Sequence, residues 1–159
     1  MNARAQAMAR QFQTFNRDVI DCVQNCNDAD WHKICAAEAW PVGVVARHPG
    51  DGHYRVVELA KMIIQGDPLP DWSMEDVIRM GNDHARDHAD CTRPEVLAIL
   101  ETNGRALQEY VATLSEADLD RKGQMALAGG EISAQQIMEM LILHSGGEHL
   151  TSMRATIGG

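Results

Sequence analysis

Apolar residues recur at steps of three and four along most of this chain, and no stretch alternates long enough to make a convincing sheet. Near the N-terminus the stripe is Met8, Phe12, Phe15, Val19, Val23 and Cys26, which predicts a helix from about Ala3 to Asn27. Asn27-Asp28-Ala29-Asp30 breaks it, and Trp31 opens a short segment. A second main helix is expected around Trp40-Pro41, because the first helical turn has no use for the N–H that proline lacks. It carries Val42, Val44, Val45 and His48 into Pro49-Gly50-Asp51-Gly52. That tetrapeptide should interrupt or kink it, since Pro49 cannot donate to the carbonyl one turn back. The pattern resumes at His53, runs through Ile64, and stops at the turn Gly66-Asp67-Pro68-Leu69-Pro70.

Capping residues mark the later starts. Ser73 and Asp76 open a helical region reaching about Ala89, and Thr92-Arg93-Pro94-Glu95 opens a longer one with Val96, Ile99, Leu100, Leu107, Val111 and Leu114. Ser115 to Asp120 reads as a short helical turn and Lys122 to Glu131 as a glycine-containing loop or small hairpin. Ser133-Ala134-Gln135-Gln136 caps a last helix that reaches about Ile157. The fold class is therefore all-α, a four-helix bundle with short extra helices and a glycine-containing loop before the last helix. No repeat, low-complexity tract or linker divides the chain, so a single domain over residues 1–159 is expected.

Composition narrows function by exclusion. Hydrophobic residues at 45% are too many for a disordered chain. A net charge of -9 argues against nucleic acid or an anionic membrane as partner. The polar segment Met1 to Phe15 does not read as a secretory signal, and no apolar run approaches the ~20 residues of a membrane helix. Four cysteines without metal or redox spacing suggest reduced thiols and a cytoplasmic location.

The histidines carry the chemistry. His48, His144 and His149 fall where bundle helices can present them to a common interior, and three protein donors with one open position is the usual plan of a catalytic zinc site. His149 continues the row Leu141, Ser145, His149, Met153, so its ring should point where apolar neighbours point. The separation of His144 from His149 is awkward: five residues turn an α-helix by about 140°. A local bulge at Gly146-Gly147 would restore the facing; without one, His144 pairs with Glu148 or His149 with Ser145. The bland alternative leaves these rings at the wet end of the bundle, bonded to backbone or water.

His84 and His88 share a helix face, but Asp83, Arg86, Asp87 and Asp90 around them suggest a solvated surface. His53 and His32 read as isolated. Cys22 and Cys26 read as core, Cys35 and Cys91 lack a helper that would make a nucleophile, and Ser145 lacks an orienting acid. Asn103 and Gly104 interrupt an apolar stripe, where a buried Asn would fix helix register.

Trp40-Pro41-Val42-Gly43-Val44-Val45-Ala46-Arg47-His48 resembles the segment of the DinB-like/YfiT-like superfamily in which a tryptophan precedes the second helix and a histidine follows near its end. Leu143-His144-Ser145-Gly146-Gly147-Glu148-His149 resembles its last-helix histidine motif, and Asn82-Asp83-His84-Ala85 and Leu114-Ser115-Glu116-Ala117-Asp118-Leu119 resemble other recurring pieces. The resemblance implies a four-helix bundle, often a homodimer, whose divalent metal is held by one histidine of the second helix and two residues of the fourth. It also implies metal-dependent transferases, isomerases or hydrolases, some using a low-molecular-weight thiol on a small electrophile. Carried over, the ligands are His48 and His149, with His144 or Glu148 as the third and zinc or nickel as the expected ion. Two departures stand out: Ser145 occupies the position where the family has a histidine or glutamate, and Pro49 follows His48 directly. They also motivate the alternative of a non-catalytic binding or stress-response module with a degenerate site.

Overall fold

The computed structural model describes residues 2–158. Helix α1 spans Ala3–Asn25 and is capped by the Asn2 side chain; α2 is one turn, Asp28–Trp31. Two short strands, β1 (Ile34–Cys35) and β2 (Trp40–Pro41), pair antiparallel and lead into α3, Val42–Asp51. A 3₁₀ turn over His53–Val56 connects α3 to α4, Val57–Gln65, which stops at Gly66 in the left-handed conformation. Helices α5 (Met74–Asp87) and α6 (Arg93–Ala112) follow, then α7 (Glu116–Asp120). The glycine-containing loop is a hairpin of β3 (Lys122–Met125) and β4 (Gly130–Ser133). The last helix has three parts: α8 (Ala134–Met138), a π segment (Glu139–His144) and α9 (Ser145–Ile157).

The expected capping boxes at Ser73, Thr92 and Ser133 all form, each polar side chain satisfying a backbone N–H that the first helical turn leaves without a partner. The bundle consists of α1, the α3–α4 pair, α6 and the α8–α9 helix, with α5 as an addition packed on α3. Phe12, Val19, Val23, Val42, Val44, Leu100, Ile137 and Met153, all buried, fill its centre. Gly43 exists for packing: a Cβ there would lie 2.4 Å from the Trp31 ring, whose indole N–H donates to the Cys91 carbonyl.

A polar bridge crosses the core. Asn16 donates to the Leu100 carbonyl at 3.1 Å and accepts from the Tyr54 hydroxyl at 2.7 Å, while Gly104 leaves room for the amide. Every polar atom of this bridge is buried and paired, so it fixes the 3₁₀ turn against α1 and α6 at one register. The register-fixing asparagine is thus Asn16, whereas Asn103 donates to the Gly50 carbonyl and ties α6 to the end of α3.

Candidate metal centre

The 3₁₀ turn decides the site. Helix α3 tolerates Pro49 close to its end, and the chain then turns at Gly52, whose N–H donates to the His48 carbonyl at 2.8 Å. A Cβ on Gly52 would meet His48 Cε1 and the His48 carbonyl oxygen, both at 2.9 Å. Only a glycine allows the chain to fold back this closely on the His48 ring. The next residue, His53, is thereby brought beside His48, with ring centroids 4.8 Å apart. From α9, His149 reaches the same place, 5.1 Å from His48 and 5.0 Å from His53.

One donor atom from each of His48, His53 and His149 lies within 4.8 Å of the other two. Three imidazoles on one tetrahedral ion, with nitrogens about 2.0–2.1 Å from it, have centroids roughly 5 Å apart, which is the spacing found here. The remaining ring nitrogens are committed elsewhere. His53 Nδ1 donates to the Leu141 carbonyl at 2.6 Å, and His149 Nδ1 to Glu38 Oε1 at 2.8 Å. These partners can only accept, so both rings carry the proton on Nδ1 and keep a lone pair on Nε2. His48 Nδ1 lies 3.4 Å from His84 Nδ1, and His84 Nε2 lies 3.1 Å from Asp51 Oδ2. With the Asp51 carboxylate accepting from His84, His84 Nδ1 accepts from His48, and His48 too presents a bare Nε2.

His53 Nε2 is buried and has no hydrogen-bond partner, a costly condition that a cation removes. Burial, reinforced by the neighbouring imidazoles, pushes His48 down to about 2 and His53 to about 4, so both stay neutral at physiological pH. The donor set therefore fits a divalent ion, and the carboxylates Glu38 and Asp51 behind His149 and His84 supply compensating charge. Glu38 also accepts from the Ser152 hydroxyl at 2.6 Å. Trp40 roofs the cluster, edge-on to His48 at 5.2 Å and stacked on His149 at 6.2 Å, with its indole N–H on Asn82 Oδ1. Ala39, between Glu38 and Trp40, has φ +59°, a conformation that costs a residue with a Cβ and that aims both neighbours.

Of the three expected ligands, the structure brings His48 and His149 together and leaves His144 apart. His144 stands outside the group: its side chain is 74% exposed and its Nε2 lies 3.6 Å from Glu148. The helix does bulge, but as the π segment Glu139–His144, which ends at His144 and precedes Gly146-Gly147. From Ser145 onward α9 is regular, so the five-residue step to His149 keeps its ~140° and His144 faces solvent. Gly146 serves packing, since a Cβ there would lie 3.0 Å from Phe15 Cζ. The Ser145 hydroxyl donates to the Met140 carbonyl. Its partner is the helix itself, not the cluster.

His53, read as isolated, supplies the third imidazole, and His84 and His88, read as surface, lie at 18% and 32% side-chain exposure against Asp51. The sequence signal next to His53 is Pro49-Gly50-Asp51-Gly52, which is expected to interrupt or kink the helix after His48. Nothing in the sequence points to Glu38.

The DinB superfamily sequence profile matches residues 11–151. The chain belongs to the DinB superfamily. No curated protein matches it significantly. Among solved structures, YfiT from Bacillus subtilis, described as a probable metal-dependent hydrolase with an unusual four-helix bundle topology, has a TM-score of 0.76. It is 12% identical, and the match covers 98% of this chain and 87% of that one. That likeness supports the four-helix-bundle fold. The family resemblance implies two metal donors from the last helix; here, among the described residues, that helix brings one histidine to the cluster, and α3 and the 3₁₀ turn after it bring one each. No helix of the described residues is long and apolar enough to cross a membrane.

Proposed function

We propose that the protein is a divalent-metal-dependent enzyme that adds water or a low-molecular-weight thiol to a small electrophilic substrate, with zinc or nickel held by His48, His53 and His149. The observation that carries this is the set of three imidazoles, each with a ring nitrogen within 4.8 Å of the others', two of them anchored through Nδ1 and one with a buried, unpaired Nε2. When bound, a divalent ion with three nitrogen ligands and an open position lowers the pKa of a water or thiol enough to make its anion available near neutral pH.

The chain's own residues set the conditions for that chemistry. Glu38 and the Leu141 carbonyl hold the Nδ1 protons of His149 and His53, which orients both rings. Asp51 holds the Nε2 proton of His84, which fixes the tautomer of His48. Trp40 covers the His48 and His149 rings on one side. The description of YfiT as a probable metal-dependent hydrolase favours water as the nucleophile.

The test is elemental analysis of the purified chain and of His48→Ala, His53→Ala, His149→Ala and His144→Ala, followed by assays on small esters, amides and thiol-reactive electrophiles with and without added thiol. Loss of the ion and of turnover in the first three variants, with both retained in the fourth, is expected. Unchanged metal content in His53→Ala and His149→Ala would reject the ligand set. A metal-loaded protein inert on every substrate would favour the non-catalytic reading.

A further inference from the structure

Beside the three-histidine cluster lies a second group of donors. Asp51 ends α3; His84 lies in the last turn of α5 and His88 caps it, four residues on, so both imidazoles project from one side of that helix. Asp51 Oδ2 is 3.1 Å from His84 Nε2 and 3.8 Å from His88 Nε2, and the two rings are 4.6 Å apart. Ligand atoms on one tetrahedral ion are roughly 3.3 Å from each other, so these separations bracket what a shared cation requires. Side-chain exposures of 18%, 25% and 32% leave the group open to entry from solvent, unlike the enclosed His53.

We propose that Asp51, His84 and His88 form a second site for a divalent transition metal, adjacent to but separate from the three-histidine site. Two imidazoles and one carboxylate on one side of an ion, with the other positions open, is a donor set that suits zinc, nickel, cobalt or ferrous iron and not magnesium or calcium. The nearest opposing charge is Arg47, whose Nε lies 3.0 Å from Asp51 Oδ2. Its guanidinium is shared with Glu95, so the two carboxylates together carry one more charge than the arginine neutralises.

The two sites are one hydrogen bond apart. With His84 Nε2 on a cation, its remaining proton sits on Nδ1 and faces His48 Nδ1 across 3.4 Å. When His48 also holds an ion through Nε2, its own proton is on Nδ1, and two N–H groups then oppose each other. Filling one site therefore weakens the other. The second site does not depend on the first for its donors, so it stands or falls separately.

Calorimetric titration of the chelator-treated full chain with zinc chloride, with native mass spectrometry of the products, tests this. Wild type is expected to bind two ions per chain, the weaker being lost in His88→Ala, a residue that packs on His84 and Asp51 and makes no hydrogen bond to His48. His149→Ala should abolish the first site and tighten the second. If His88→Ala keeps both ions, or wild type takes up only one and His88→Ala leaves its affinity unchanged, the second site does not exist. Loss of the weaker ion in His144→Ala instead would place it at the exposed His144–Glu148 pair and equally overturn the proposal. Failure of the three-histidine reading has a different signature: no ion lost in His149→Ala.

Discussion

Acidification of the metal-free protein probes the buried imidazoles before any ligand is involved. His48 and His53 ionise near 2 and 4 in the folded chain, against about 6.5 when unfolded. Because the folded values lie below the unfolded one, the unfolded chain binds more protons as pH falls past 6.5, and stability drops with it. pH 5 lies about 1.5 units below the unfolded value and still above both folded ones, so each ring removes about 2 kcal/mol, or about 4 kcal/mol together. For a chain of this size that corresponds to a fall of roughly 8–16 °C in Tm between pH 7.5 and pH 5. His84, also lowered by burial, adds in the same direction. Carboxylates scarcely contribute in this window. Those held low by partners, such as Asp51, Asp76 and Asp118, lose their share only as pH falls through their folded values, below the ordinary carboxylate range. Thermal melts by circular dichroism on chelator-treated wild type and His53→Gln across pH 7.5–5 provide the assay. The variant should lose about half of the acid sensitivity. A wild-type Tm that is flat over this range, or a drop that is the same size in His53→Gln and in a His48→Gln/His53→Gln double variant, would refute the reasoning.

The remaining expectations follow from particular contacts. Glu38→Gln keeps an acceptor for His149 Nδ1 but removes its charge, and should weaken metal binding by about 10–100-fold in a chelator competition. Gly52→Ala places a methyl against the His48 ring and carbonyl; a cost of about 1–3 kcal/mol in urea unfolding, together with weakened metal binding, is expected. Gly104→Ala would collide with the Asn16 amide, break the bridge to Tyr54, and lower stability by about 1–3 kcal/mol or more. His144→Ala should change stability by less than about 0.5 kcal/mol and leave metal content untouched, since its ring faces solvent.

The helices were legible because their signals are local. Thr92 with Glu95 and Ser133 with Gln136 announce their own starts, and Phe12, Val19 and Val23 announce their own face. His48 and His149 could be placed for the same reason, each lying on a regular stretch whose apolar stripe fixes its direction. His53 could not, because its position depends on how Pro49 and Gly52 redirect the chain after α3, and on Tyr54 being anchored to Asn16 on a distant helix. The misplacement of His144 has a similar origin. A pair of glycines is a fair place to expect a bulge, but Gly146 is consumed by close packing on Phe15, and the extra residue is absorbed in Glu139–His144 instead. His84 and His88 were hidden by composition. Asp83 and Arg86 pair with each other on the outer side of α5, while both histidines turn inward to Asp51, a contact across 33 residues for His84 that no spacing rule reports.

The central claim is that one divalent ion is bound by His48, His53 and His149 together. Anomalous diffraction from crystals of zinc- or nickel-loaded protein, collected on both sides of the metal absorption edge, tests it most directly. A peak about 2.0–2.2 Å from the Nε2 atoms of all three rings is the expected result. A peak bound instead by His144, or none within reach of His53, would contradict it.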